Sequence, residues 1–239
     1  MRRTALSMTW TPEVETEEAQ VMIRTVEDIY GALRQRIGLI EQFNPLPLVR
    51  IFGAWMLSNT PKGAAYWGIE WYVKHSLDAG ADTVRLLGSR YLSIVSIEPW
   101  QHSEPHFDLT LTNLPLIDDL GPEAAEEALG VSIPGAISLV SSHLLQRIDN
   151  PGLRKMALRH VIAHYFGKMA NIPNAARQGD IEEHGGEAYC RGICAMRHTP
   201  SEEQALAHSM QESNEGVLFC SACQRDLLAL LTSFHFGIN

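Results

Sequence analysis

The sequence predicts an α/β protein: a twisted mixed sheet with packed helices, followed by a C-terminal helical segment stapled by a metal. Three observations predict it. Helical and extended patterns follow one another in the order α-β-α-β-β-β-β-α, which a mixed sheet with covering helices accommodates. His160 and His164 lie four apart in a helical stretch, so both imidazoles share one face. All four cysteines, Cys190, Cys194, Cys220 and Cys223, fall in two close pairs downstream of that helix.

Residues 1–19 read as a disordered tail that carries the acidic cluster Glu13 to Glu18. A first helix runs from about Ala19 to Phe43, with Val21, Ile23, Val26, Ile29, Tyr30 and Leu33 at helical spacing, and Asn44-Pro45-Leu46-Pro47 stops it. Leu48 to Trp55 reads as a strand. A second helix follows Thr60-Pro61 and ends near Gly80. Strands are expected at Thr83–Leu87, Tyr91–Ile97 and Phe107–Asn113, with His102 and His106 in the loop between the last two. Glu123 to Leu129 reads as a short helix or turn, and Ile133–Ser142 as a strand. Asn150-Pro151 caps the histidine helix, which extends to about Met169 with Leu153, Met156 and Ala157 on the histidine face. Residues 171–186 form a polar insertion loop. Residues 187–239 form a C-terminal subdomain with helices from Ser201 to about Gln211 and from Cys223 to Leu231.

Composition narrows the function classes. A chain of 239 residues, 45% of them hydrophobic, can bury a full core. The net charge of −9 argues against nucleic acid, which demands clustered Lys and Arg. No stretch approaches the roughly 20 apolar residues of a membrane span, and the N-terminus lacks the apolar run of a signal peptide. A cytoplasmic location is therefore expected. Thiols stay reduced there, which favours metal over disulfides. No phosphate-binding glycine loop, coenzyme motif or Ser/His/Asp arrangement is apparent.

The spacing of His160 and His164 suits shared coordination of one ion. Zinc peptidases place a glutamate directly after the first histidine, to take a proton from the metal-bound water. Here that position is Val161, which cannot. Two close cysteine pairs, by contrast, can converge on one tetrahedral zinc.

These features resemble the archaemetzincins, a family in the metzincin clan of zinc peptidases, whose pattern runs HExxHxxGxxHC, then a second cysteine, CxM and CxxC. His160, His164 and Gly167 match in register, Cys194-Ala195-Met196 matches CxM, and Cys220/Cys223 match CxxC. Gly135 to Ser142 resembles the family's strand beside the substrate cleft. The resemblance spans roughly residues 107–223; before that, only the order of elements is similar. It implies a metzincin-like domain over residues 20–170, a structural zinc on the four cysteines and a methionine turn at Met196.

The departures concern catalysis. The family's third histidine and adjacent cysteine fall at Ala170 and Asn171, and Tyr189 stands just before Cys190 where the family has histidine. A second metal at His160 and His164 needs a third ligand. His184 is the candidate, because Gly185 and Gly186 let its loop fold back over the helix. Glu182, Glu183 and Glu187 are the candidate replacement bases. Two functions follow as expectations: a zinc-stapled protein that binds a peptide or protein segment without cutting it efficiently, or a zinc hydrolase rebuilt around His184. Loss of a general base costs about 100- to 10,000-fold in rate.

Overall fold

The computed structural model describes residues 3–37, 46–54, 68–80, 83–120, 126–177 and 179–232. The elements in chain order are β1 (Ala5–Trp10), α1 (Thr16–Ile37), β2 (Leu48–Gly53), α2 (Ile69–Ser76), β3 (Leu86–Leu87), α3 (Gly88–Ser96), α4 (Pro99–Ser103), β4 (Phe107–Thr112), β5 (Leu116–Asp118), β6 (Glu126–Glu127), β7 (Gly130–Ile133), β8 (Ile137–Ser141), α5 (Pro151–Met169), β9 (Ile181–His184), β10 (Glu187–Cys190), α6 (Glu202–Glu215) and α7 (Ser221–Thr232). The main sheet has the order β2-β1-β4-β8-β7. Its first four strands are parallel and β7 runs antiparallel to β8.

Residues 1–19, expected as a tail, instead supply the strand between β2 and β4. β1 pairs with Leu48–Gly53 on one side and with Phe107–Leu111 on the other. Leu6 and Met8 point into the apolar core, as do Leu109 and Leu111 of β4. Glu18, expected in the tail, lies buried in α1, where Gln146 Nε2 donates to its carboxylate at 3.0 Å. The alternate residues of β1 and β4 make a polar seam on the opposite face. Thr9 and Thr110 hydroxyls meet at 2.7 Å, and Tyr91 of α3 donates to Thr110 Oγ1 at 2.9 Å. The sheet therefore separates two layers. Helices α1 and α5 cover the apolar face. Helices α2 and α3 cover the other, around Tyr72, Tyr91, Leu92 and Val95.

Tyr91–Ile97, expected as a strand, is the body of helix α3. Tyr91, Leu92 and Val95 form one buried helical stripe, while Ile97 stays outside. The helical spacing of those three outweighs the β-branched content that suggests a strand. The expected strand Ile133–Ser142 is a hairpin, β7 and β8, turned at Gly135, which takes a positive φ of 78°. Gly135–Ser142 therefore contributes an interior strand, and the terminal strand of the sheet is β7. The expected loop at 99–106 contains the short helix α4, and His106 is fully buried. The helix start at Thr60-Pro61 and part of Glu123–Leu129 lie outside the described residues, of which Glu126–Glu127 form β6. No described helix is long and apolar enough to cross a membrane.

Because Met8 is wholly buried between two parallel neighbours, Met8→Ala should cost about 2–5 kcal/mol. Denaturant unfolding checks this; a midpoint equal to that of the wild type contradicts the placement of β1.

Candidate functional site

The site is built on α5. Asn150 caps it, its side chain accepting from the amides of Gly152 at 2.9 Å and Leu153 at 3.1 Å, and Pro151 opens the helix. The other end closes in a Schellman arrangement. The Ile172 amide donates to Gly167 O at 3.0 Å and the Asn171 amide to Lys168 O at 2.8 Å, with Asn171 left-handed at φ 55°. The helix thus runs two residues beyond Gly167 before the chain reverses. Gly167 is required by a neighbour: a Cβ there would lie 2.1 Å from Met196 Sδ. The two residues that match the family's glycine and its turn methionine are therefore in contact.

From Ala157 onward α5 is buried nearly all round, so both imidazoles must find partners inside the protein. Burial pushes His160 and His164 each down to about 3, so both rings are neutral at pH 7. Burial pushes Glu212 of α6 up to about 8, against the pull of Arg197 and Arg159. The hydrogen-bond network assigns the protons. The Glu212 carboxyl donates to His160 Nδ1 at 2.9 Å, and His160 Nε2–H donates to Thr199 Oγ1 at 3.0 Å. Thr199 passes its own proton to Arg197 O at 2.9 Å and accepts from His208 Nδ1 at 3.1 Å. His164 Nδ1 donates to Ala195 O at 2.7 Å.

The helix histidines are engaged with protein groups in this fold. His160 has both nitrogens committed to protein, with its Nε2 proton aimed at Thr199. The two ring centroids are 6.3 Å apart. Among the described residues no further His, Cys, Asp or Glu closes on both rings to make a ligand group. His184 in particular does not. Gly185 and Gly186, at φ 59° and 81°, make a tight two-residue turn between β9 and β10 rather than a flap over the helix. His184 sits at the mouth of that hairpin, 43% exposed at its side chain, 3.3 Å from Glu182 and stacked on His198 at 4.1 Å. The rest of the insertion is anchored on the cysteines through Arg177, rather than on the histidine face.

What covers His164 is Tyr189, whose ring lies 6.0 Å from it and nearly parallel. Lys168 places its ammonium 4.0 Å from the Tyr189 ring centre and 2.5 Å from Glu187, which also accepts from the Tyr189 hydroxyl at 2.7 Å. Burial and the Glu187 hydrogen bond hold the Tyr189 phenol well above its usual range, so it stays protonated. Of the candidate bases, Glu187 alone borders the cleft beside His164. Burial pushes its carboxyl up, but the Lys168 hydrogen bond and charge outweigh this and hold it below the ordinary range. Glu182 faces His184, and Glu183 is exposed. Val161, at the general-base position, is 1% exposed and packs in the core.

The cleft is small, about 120 Å³, and runs beside β7 from Gly130 to Ser132. A larger groove of about 590 Å³ shares Lys168 and Glu187 with it and continues past Pro134 toward Pro173 and Ala188. Lys168, Thr199, His208 and Glu212 were not foreseen in the sequence. Only Lys168 left a signal there, four residues after His164 on the same helical face.

The four cysteines do converge. Their sulfurs all lie within 4.8 Å of one another, and Cys190 and Cys220 are 3.6 Å apart. A tetrahedral ion with bonds of about 2.3 Å sets its sulfurs about 3.8 Å apart, so this donor set fits. Backbone amides of Met196 and Cys220 donate to Cys194 Sγ at 3.5 and 3.4 Å, and Arg177 reaches Cys223 Sγ at 3.3 Å. Hydrogen bonding from Cys194 pulls Cys190 down to about 7. Amides and a guanidinium around sulfur stabilise the thiolates that a metal requires.

A parallel sheet closed by one antiparallel edge strand, a histidine helix beneath it and a methionine turn against that helix define a metzincin-like class. The particular fold is that of archaemetzincin. The crystal structure of archaemetzincin from Methanopyrus kandleri superposes with a TM-score of 0.55 at 15% identity, covering 96% of each chain. That of archaemetzincin from Archaeoglobus fulgidus, complexed with malonate, gives 0.51 at 12% identity, covering 93% of this chain and 99% of the other. No family model and no curated protein matches the sequence.

The buried Glu212 has a pH signature. Its carboxyl is raised from 4.5 to about 8 in the fold, so the native state holds a proton that the unfolded chain has released. This contribution is greatest below about 4.5 and is lost as the pH rises to about 8. The histidines act oppositely: their contribution is present above 6.5 and is lost as pH falls toward about 3. Glu212→Gln removes the first effect alone. Relative to the wild type, the variant should therefore be more stable at pH 8 than at pH 5 in paired denaturant titrations; a pH-independent difference contradicts the protonation assigned here.

Proposed function

We propose that this chain is a metallopeptidase-like protein with a structural zinc, which holds a peptide or protein segment in its cleft without hydrolysing it efficiently. One observation carries this reading: His160 is saturated by Glu212 and Thr199. The ring that a peptidase commits to zinc is here committed to protein. The buried Val161 and the protonated Tyr189, in the places of the glutamate and the third histidine, support the same reading.

The shape of the cleft favours an extended chain. A volume of about 120 Å³ is below the range of about 300–1,000 Å³ usual for small-molecule sites. The cleft follows β7, the terminal strand of its sheet, and the larger groove begins just past that strand at Pro134. A peptide laid along β7 can add its backbone to that edge. The charge of −9 opposes a nucleic-acid partner.

Four thiolates in a tetrahedral cluster favour zinc over harder ions. Zinc held there would clamp β10, the turn at Cys194 and the start of α7 together, and the clamp would contribute to folding. Reduced cysteines of this kind suit the cytoplasm. Cys190→Ser should lose one zinc per chain by elemental analysis and lower the thermal midpoint. An unchanged zinc count contradicts the structural site.

The unmodified protein should not cleave a general peptide library in a chelator-sensitive way. Val161→Glu should not restore cleavage, because it buries a carboxylate in the core and leaves His160 engaged. Robust cleavage by the unmodified protein, abolished by chelator, overturns the reading.

A further inference from the structure

A second cluster of ligand-type side chains lies on the opposite face of the sheet from α5. Asp108 of β4 alternates with the core-facing Leu109, so it points into the polar seam under α2 and α3. His106 precedes it, and Glu98 stands just before α4. The three are 7%, 0% and 4% exposed respectively. One donor atom from each lies within 4.8 Å of the other two. His106 Nε2 is 3.5 Å from Glu98 Oε1 and 3.7 Å from Asp108 Oδ2.

The hydrogen bonds give this cluster its direction. His106 Nδ1–H donates to Glu104 O at 2.8 Å, which leaves Nε2 pointing inward at the two carboxylates. Tyr72 donates to Glu98 Oε2 at 2.5 Å, while Glu98 Oε1 takes no hydrogen bond. Ser7, the cross-strand neighbour of Asp108, also has a buried hydroxyl without a partner. Among the described residues, the donor that faces Nε2 is the Gln101 amide at 3.3 Å, itself held by Arg3. Glu98, His106 and Asp108 thus converge on one buried point; burial opposes charge on the imidazole, but the Asp108 hydrogen bond and charge outweigh it, so a proton on Nε2 bridges to the carboxylates when no metal is bound. A metal cation can take that proton's place and also serve Glu98 Oε1, which takes no hydrogen bond. A ring whose Nδ1–H is fixed by a carbonyl, with Nε2 facing carboxylates, is the usual arrangement of a metal-ligating histidine.

We infer that Glu98, His106 and Asp108 form a second metal site, for a small divalent transition ion. Two carboxylates neutralise such an ion, and an imidazole–carboxylate donor set suits zinc or manganese. Tetrahedral bonds of about 2.0–2.1 Å put donor atoms about 3.3 Å apart, so the observed 3.5 and 3.7 Å need only a slight contraction. Ser7 or a water would complete the coordination. The bound ion would tie the start of β4 to the segment that enters α4, locking the α2/α3 layer onto the sheet.

The test uses the full chain with its cysteine site intact, equilibrated in zinc-buffered solution at pH 7 and counted by elemental analysis. Two zinc ions per chain are expected in the wild type. Glu98→Gln and Asp108→Asn should each retain one, with unchanged circular dichroism at room temperature. If one variant fails to fold, the other carries the count. Anomalous scattering at the zinc edge from wild-type crystals supplies an independent reading, a peak beside His106 Nε2. An equal count in the wild type and a folded variant, or no peak beside Nε2, overturns the site. Adding Cys190→Ser to Glu98→Gln should remove the remaining zinc; a count that it lowers no further shows that Glu98→Gln had lost the cysteine-bound ion, and overturns the second site.

Discussion

Two imidazoles buried in the central helix must be satisfied by something, and what satisfies them shapes the C-terminal third. Helix α5 lies between the sheet and α6, and His160 is fully buried there. A neutral imidazole buried without partners costs about 1–3 kcal/mol or more per unsatisfied group. In a zinc peptidase the metal supplies the partner. Here Glu212 and Thr199 supply it for His160, and the Ala195 carbonyl for His164. These contacts fix the docking of α6 on α5. They also fix the path of the chain from Cys194 to Thr199, and hence the seating of Met196 against Gly167.

His160 and His106 differ chiefly in which nitrogen carries the proton. At His160 a carboxyl group donates to Nδ1, so the proton sits on Nε2 and points at a hydroxyl. At His106 a carbonyl accepts from Nδ1–H, so Nε2 is the nitrogen that faces two carboxylates. The first arrangement is closed to a cation and the second is open to one. Neither difference can be read from the identity of the residues, because each depends on a partner far away in the chain: Glu212 for one, the turn at Glu104 and the register of β4 for the other.

The same contrast governs how much the sequence discloses. Helix α5 was legible because its signals are local: an asparagine cap, a proline at the first turn and a histidine repeat. The cysteine cluster was legible because its spacing is itself the constraint. β1 was not. Its Leu6 and Met8 alternate with Ser7 and Thr9 like an exposed edge, yet both faces are buried, because the seam beneath α3 is itself polar. Tyr91–Ile97 misled for another reason. Its β-branched residues suggest a strand, and only packing against the sheet shows that Tyr91, Leu92 and Val95 share one side. His184 was misplaced because two glycines permit either a mobile flap or a tight hairpin turn. The pairing of Glu187 with His184 across β9 and β10 selected the turn.

The changes around the histidine helix are physically coupled. Without a metal, an ionised glutamate at position 161 would face the apolar core with no cation to balance it, so valine is the more stable occupant. Without a third imidazole, the ring at 189 is free to become a phenol, which stacks on His164 and hydrogen-bonds to Glu187. That bond holds Glu187 beside Lys168, and the pair borders both the cleft and the groove. Each replacement thus stabilises the next. The cleft keeps its strand edge throughout, because β7 is held by β8 and by α5 rather than by any group at the histidines. The strand edge of the cleft is therefore independent of which groups occupy the histidine pocket.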